Sequence, residues 1–306
     1  MTNASIRWMA RWLSIPQFRA VTGPPVPPST HLFACNTLEE REASIEVVQN
    51  SYFRAIFTPK LRDSTHLIMY VHGGGFTSGS PEATSAYALQ LSVELKQRGI
   101  IADIFSVGYD LAPDSPYPGG LRQIVAAFEY LTAFEKPIIL MGDSAGGNLC
   151  LALLRHLHEP HPDIRAMSQN AKSAIIALCL ACPWVNLRND RQPPQLLDGV
   201  DCLDKPTLDR WRSAGWREIL PPKALFMTGE LDHFSRDIVQ FVDIVRKAGH
   251  IGVDLDVAPL KGHAWNLVDF GAAKVGIPSS LIDGDVAPYN GVMIQSQWIV
   301  QHVNKA

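Results

Sequence analysis

One segment, Gly142-Asp143-Ser144-Ala145-Gly146-Gly147, limits what this chain can fold into more than any other. Before it, Pro137-Ile138-Ile139-Leu140-Met141 is a short apolar run after a proline, the profile of a strand buried on both faces. After it, the stretch from Ala145 to Leu154 reads as a helix whose first residues are small, so it can lie close to the strand it has just left. Strand, reversal and helix together make a Gly-x-Ser-x-Gly elbow, which presents its serine on a sharp turn. A glycine-bracketed serine also recurs in ordinary turns, and the flanking elements are what separate the two cases. The elbow reading expects Ser144 in a strained backbone conformation, held there by both neighbours.

A second glycine run lies upstream. Leu67-Ile68-Met69-Tyr70-Val71 reads as another buried strand and ends at His72-Gly73-Gly74-Gly75. Backbone amides without side chains in the way can approach a developing oxyanion, so Gly74, Gly75 and Ala145 are the candidate donors. His72 is expected to brace this loop by a hydrogen bond rather than to transfer protons.

A serine nucleophile needs a base and a group to orient it. In this architecture the chain order is Ser, then Asp or Glu, then His. Ala224–Gly229 is strand-like and runs into Glu230-Leu231-Asp232, which puts Asp232 just past a strand's carboxyl end. Val253-Asp254-Leu255-Asp256-Val257 alternates like a final strand, and His263 follows it. Ser144, Asp232 and His263 are therefore the candidate nucleophile, orienting carboxylate and base. Glu230 and Asp237 compete for the acidic role, His233 and His250 for the basic one. A rate that climbs as His263 loses its proton is expected. Phe76, Trp184 and Trp265 follow key positions and are candidate walls of a substrate pocket, with core packing the alternative.

On these motifs the chain resembles the hormone-sensitive-lipase-like branch of the α/β-hydrolase superfamily. That branch carries a His-Gly-Gly-Gly run, a Gly-Asp-Ser-Ala-Gly-Gly elbow and a Tyr-Arg-Leu-Ala-Pro-Glu stretch between them. Here the middle stretch is Tyr109-Asp110-Leu111-Ala112-Pro113-Asp114, and Pro183-Trp184-Val185-Asn186-Leu187 is similar to the family's segment after the sixth strand. The resemblance runs from about Leu67 to Trp265 and implies a mostly parallel α/β-hydrolase sheet with flanking helices and a cap, and a Ser-His-Asp esterase acting on small esters without a cofactor. There are departures. Asp110 replaces the usual arginine, and Arg236 stands where the family often has a second aspartate four positions after the first.

Strands are predicted near residues 45–57, 67–71, 101–107, 138–142, 174–182, 224–229 and 253–258, with helices between most of them. Alternating βα units imply a mostly parallel sheet. Residues 1–30 are expected to form an N-terminal cap segment, with an amphipathic stretch around Trp8 and Trp12 hinged at Pro24-Pro25-Val26-Pro27-Pro28. Residues 31–306 then form the catalytic domain, with a cap insertion at about 187–221 that contains Trp211 and Trp216.

The balance of 27 basic and 30 acidic residues argues against nucleic acid as a partner, because a phosphate-binding surface shows as a basic excess. No run reaches the roughly 20 apolar residues of a membrane span. Five cysteines at scattered positions fit a reducing compartment, so a cytoplasmic location is expected, with organellar import left open. Cys179-x-x-Cys182 lies inside an apolar strand and His156-Leu157-His158 at a helix end, so no metal is expected at either. A homodimer is compatible with the sequence and not required by it. An acyltransferase, lactonase or amidase would use the same residues. A non-catalytic receptor on this scaffold is the alternative of a different class.

Overall fold

The computed structural model describes residues 44–186, 215–268 and 290–303. In chain order these form β1 (Ser44–Gln49), β2 (Arg54–Lys60), β3 (His66–Val71), α1 (Ser85–Gln97), β4 (Ala102–Gly108), α2 (Gly119–Thr132), β5 (Ile138–Asp143) and α3 (Ser144–His158). β6 (Ile175–Ala181), the short α4 (Trp216–Ile219), β7 (Ala224–Gly229), α5 (Ser235–Lys247), β8 (Val253–Ala258) and α6 (Gly291–Val303) follow. The expected N-terminal cap and residues 187–214 of the expected insertion lie outside the described residues. Trp216, at the far end of that insertion, is buried against Phe241 of α5, with ring centroids 5.0 Å apart.

Eight strands form one sheet in the order β1-β2-β4-β3-β5-β6-β7-β8. From β4 onward neighbours run parallel, while β1 pairs antiparallel with β2 and β2 with β4. The single strand expected over 45–57 is therefore a hairpin. Its turn is made by Asn50, whose Oδ1 accepts the amides of Tyr52 at 2.8 Å and Phe53 at 3.0 Å. An asparagine side chain that mimics a backbone turn breaks the strand, where the surrounding apolar and β-branched residues read as continuous.

Central strands are buried on both faces because helices cover both. In β3, Leu67, Met69 and Val71 join one core with α2, α3 and α5, while Ile68 and Tyr70 join the other with α1 and α6. Each such apolar side chain contributes about 1.5–3 kcal/mol on burial. The strand order decides where chemistry can collect. The connection after β3 leads toward β4 on one side, and that after β5 leads toward β6 on the other. A crevice must open between the carboxyl ends of β3 and β5, the switch point where open α/β sheets bind ligands. The glycine run leaves β3 there, and Ser144 leaves β5 there.

Candidate active site

Ser144 has φ of 47°, in the left-handed region, and opens α3 directly after β5. The strain is held by close packing on either side. A Cβ on Gly146 would collide with the carbonyl oxygens of Val71 and His72, so only glycine lets α3 approach the end of β3 this closely. The first amides of α3 have no intrahelical acceptors and point toward the crevice. Behind the elbow, the Trp184 amide donates to the Ser144 carbonyl at 3.0 Å, and Asn148 Nδ2 donates to the Trp184 carbonyl at 2.8 Å.

The glycine loop is fixed from below by Asp143. Its buried Oδ1 accepts the Tyr70 hydroxyl at 2.8 Å and the Gly73 amide at 3.1 Å. Burial raises the Asp143 carboxyl, and these bonds act in the opposite direction. Gly73 is thus committed to the scaffold, while the amides of Gly74 and Gly75 donate to no described group. Gly74 has φ of 113°, and its carbonyl accepts the amides of Thr77 and Ser78, which curl the loop. His72 is buried, stacks on Tyr109 with centroids 4.4 Å apart, and donates from Nδ1 to the Gly73 carbonyl at 2.7 Å. Burial drives its pKa down to about 4, so the ring stands neutral as a brace.

His263 Nε2 lies 2.9 Å from Ser144 Oγ, and its Nδ1 lies 3.0 Å from Asp232 Oδ1. These residues are 119 and 31 positions apart in the chain. Because a carboxylate oxygen only accepts, Nδ1 must carry a proton, and in the neutral ring that leaves Nε2 as the acceptor facing the serine. Asp232 Oδ1 also accepts the Phe234 amide at 3.0 Å, and Oδ2 accepts the Thr228 hydroxyl at 3.2 Å. Burial alone would raise this carboxyl. The bond to His263, its charge, the Phe234 amide and the Cys182 thiol together outweigh burial and hold it below the usual range. The carboxylate stays ionised.

The competing candidates fall elsewhere. Glu230 accepts the Leu260 amide at 3.0 Å, and His250 bonds the Pro221 carbonyl at 2.9 Å inside the core. His233 Nδ1 is 3.6 Å from Asp232 Oδ1, on the exposed side, and its ring lies 5.0 Å from that of His263. Asp237 accepts Asn186 Nδ2 at 3.3 Å, so the aspartate loop is tied to the exit of β6 from a position one residue beyond Arg236. His156 and His161 direct ring nitrogens to backbone groups. Ligand atoms of Cys182, Asp232 and His263 lie within 4.8 Å of one another. Asp232 already accepts His263 Nδ1, the Phe234 amide and the Thr228 hydroxyl, so the cluster reads as a proton network rather than an ion site.

Phe76 and Trp184 pack against each other, with ring centroids 5.7 Å apart, and both are buried in the core on the α3 side of the sheet. Trp265 is not with them. It packs in the core on the opposite face of the sheet, beside Ala258 and Val292. Phe234, absent from the sequence reading, extends this aromatic cluster to His263, stacked on Trp184 at 5.4 Å and edge-on to His263 at 5.0 Å. Its position two residues after Asp232 was the available signal. A small cavity of about 30 Å³ beside the elbow is lined by Phe76, Tyr109, Tyr117, Asn148 and Leu149.

A family described as alpha/beta hydrolase fold matches residues 68–267. The chain is 32% identical to carboxylesterase NlhH of Mycobacterium tuberculosis over 257 residues, covering 74% of this chain and 75% of that one. The chain belongs to the α/β-hydrolase fold family. Mouse hormone-sensitive lipase is 31% identical over 149 residues, 46% of this α/β-hydrolase and 17% of that much longer relative. Among solved structures, an esterase from Pyrobaculum calidifontis matches with a TM-score of 0.70 at 17% identity, covering 99% and 97% of the two chains. A hormone-sensitive lipase from a metagenome library gives 0.68 at 21% identity, covering 98% and 96%. These structural matches bear on the fold. Among the described residues no helix of this α/β-hydrolase is long and apolar enough to cross a membrane.

Proposed function

We propose that this esterase-type α/β-hydrolase cleaves carboxylic esters through a Ser144–His263–Asp232 triad and a covalent acyl-enzyme. The supporting observation is the imidazole of His263, bonded on one side to Ser144 Oγ at 2.9 Å and on the other to Asp232 at 3.0 Å. In this reading His263 Nε2 takes the serine proton as Oγ attacks the ester carbonyl. The tetrahedral oxyanion is held by the amides of Gly74, Gly75 and Ala145, each donor contributing about 3–4 kcal/mol to the transition state. His263 then returns the proton to the departing alcohol. Water repeats the sequence on the acyl-enzyme and releases the acid.

The aromatic rings of Phe76, Trp184 and Phe234, the last edge-on to His263, favour an apolar acyl group. The similarity to a protein named as a carboxylesterase supports the same substrate class. Ser144→Ala is expected to abolish hydrolysis of p-nitrophenyl butyrate and labelling by a fluorophosphonate probe. Turnover at the wild-type rate in that variant would remove the serine from the mechanism.

A further inference from the structure

Three loops meet at one sulfur. Cys182 follows β6, is fully buried, and has φ of 48°, a conformation that disfavours any residue with a Cβ. Its amide donates to the Met227 carbonyl of β7 at 2.7 Å, fixing the strained turn from below. Its Sγ lies within 4.8 Å of an Asp232 carboxylate oxygen and of a His263 ring nitrogen, and the backbone amides of Gly229 and Ala264, the latter the residue after His263, act on the thiol. Ala264 itself has φ of 53°. The same turn continues through Pro183 to Trp184, whose amide holds the Ser144 carbonyl. A strained backbone of this kind persists only when its surroundings over-determine it, and such positions cluster at working sites.

We propose that Cys182 is a positioning residue of the reaction: its thiol proton fixes the Asp232 carboxylate and its sulfur anchors the loop carrying His263. The proposal rests on the triad reading above. Burial, and then the neighbouring Asp232 charge, push the Cys182 thiol well up, so it remains a neutral donor across the working range. Each donor to Asp232 draws off some of the negative charge that would otherwise stabilise a protonated His263. Taking the thiol away leaves Asp232 a stronger partner for the imidazolium, and a higher pH is then needed to free the base. The other titratable groups facing the pair are His233, 3.6 Å from Asp232 Oδ1, and Asp143, whose charge acts on His263.

The test compares Cys182→Gly with Cys182→Ser. Glycine suits the left-handed backbone and removes the sulfur without steric cost, whereas serine keeps a donor of similar shape. In the glycine variant kcat for p-nitrophenyl butyrate is expected to fall about tenfold with KM little changed, and the acid limb of kcat/KM to move up by about half a pH unit. The serine variant is expected to recover most of both. A glycine variant with the wild-type limb and kcat overturns the proposal, as does a serine variant that behaves like glycine, or a change confined to KM. Fluorophosphonate labelling separates the two levels. If the wild type labels at Ser144 and the Cys182 variants are unaffected, only the positioning role falls; if the wild type does not label, the triad reading falls first.

Discussion

Asp232→Asn isolates the charge of the carboxylate from its geometry, because the surroundings dictate how the amide must sit. The Phe234 amide, 3.0 Å from Oδ1, can only donate, so the asparagine carbonyl must occupy that position. The new NH2 then turns to the Oδ2 side, where the Thr228 hydroxyl, now 3.2 Å away, can rotate to accept. His263 Nδ1 continues to donate to an oxygen, so its tautomer and orientation persist. What disappears is a full negative charge beside the imidazolium that forms in the transition state. For charge centres about 4 Å apart at an effective dielectric of about 20, that is about 4 kcal/mol. The expected loss is roughly a thousandfold in kcat. KM should hold within a factor of about three, since the ground state does not use the charge. Where the same substitution also imposes the wrong tautomer, as in chymotrypsin-type proteases, it costs about 10⁴. Steady-state hydrolysis of p-nitrophenyl butyrate at neutral pH measures it. A fall of less than about tenfold would mean that Asp232 does not stabilise a charged imidazole, and the electrostatic argument would fail.

Two further outcomes follow from the scaffold. His72 has a pKa of about 4 when folded, below its ordinary unfolded value, so between about pH 6.5 and 4 the unfolded chain binds the extra proton. Stability from this residue is present above that window and lost on descending through it, by up to about 3 kcal/mol; urea midpoints against pH should fall less steeply in His72→Asn, and parallel curves would refute the assignment. Gly146→Ala drives a methyl into the carbonyl oxygens of Val71 and His72, so it should cost about 1–3 kcal/mol in urea unfolding and depress kcat more than stability alone accounts for, by displacing the glycine loop. Wild-type stability and rate together in that variant would show that α3 does not lie where the close approach puts it.

How much of this was legible in the chain depends on the range of the forces involved. The elbow and the glycine loop were readable because backbone sterics act within a few residues. A serine between glycines, after an apolar strand and before a helix, has few conformations open to it, and φ of 47° at Ser144 is one of them. Asp232 and His263 were readable as residues just past strand ends, where parallel sheets gather polar groups. The hairpin over β1 and β2 was missed because its signal is a single side chain, Asn50, folding back on its own backbone.

Trp265 was misplaced for a different reason. Its nearness in sequence to His263 carries no information about which face of the sheet its ring enters, and it enters the core beneath α6. The nearness of Phe234 and Cys182 to His263 and Asp232 was invisible in the sequence because their partners come from other strands. The sequence alone determined a parallel α/β scaffold and the identity of the acid, base and nucleophile candidates. Only the tertiary structure decided the company they keep: the Tyr70–Asp143–Gly73 brace, the nearness of Cys182 to Asp232 and His263, and the aromatic cluster of Phe76, Trp184 and Phe234. Local patterns specify how a segment bends, whereas strand order and face specify what it meets, and those are properties of the whole sheet rather than of any stretch of it.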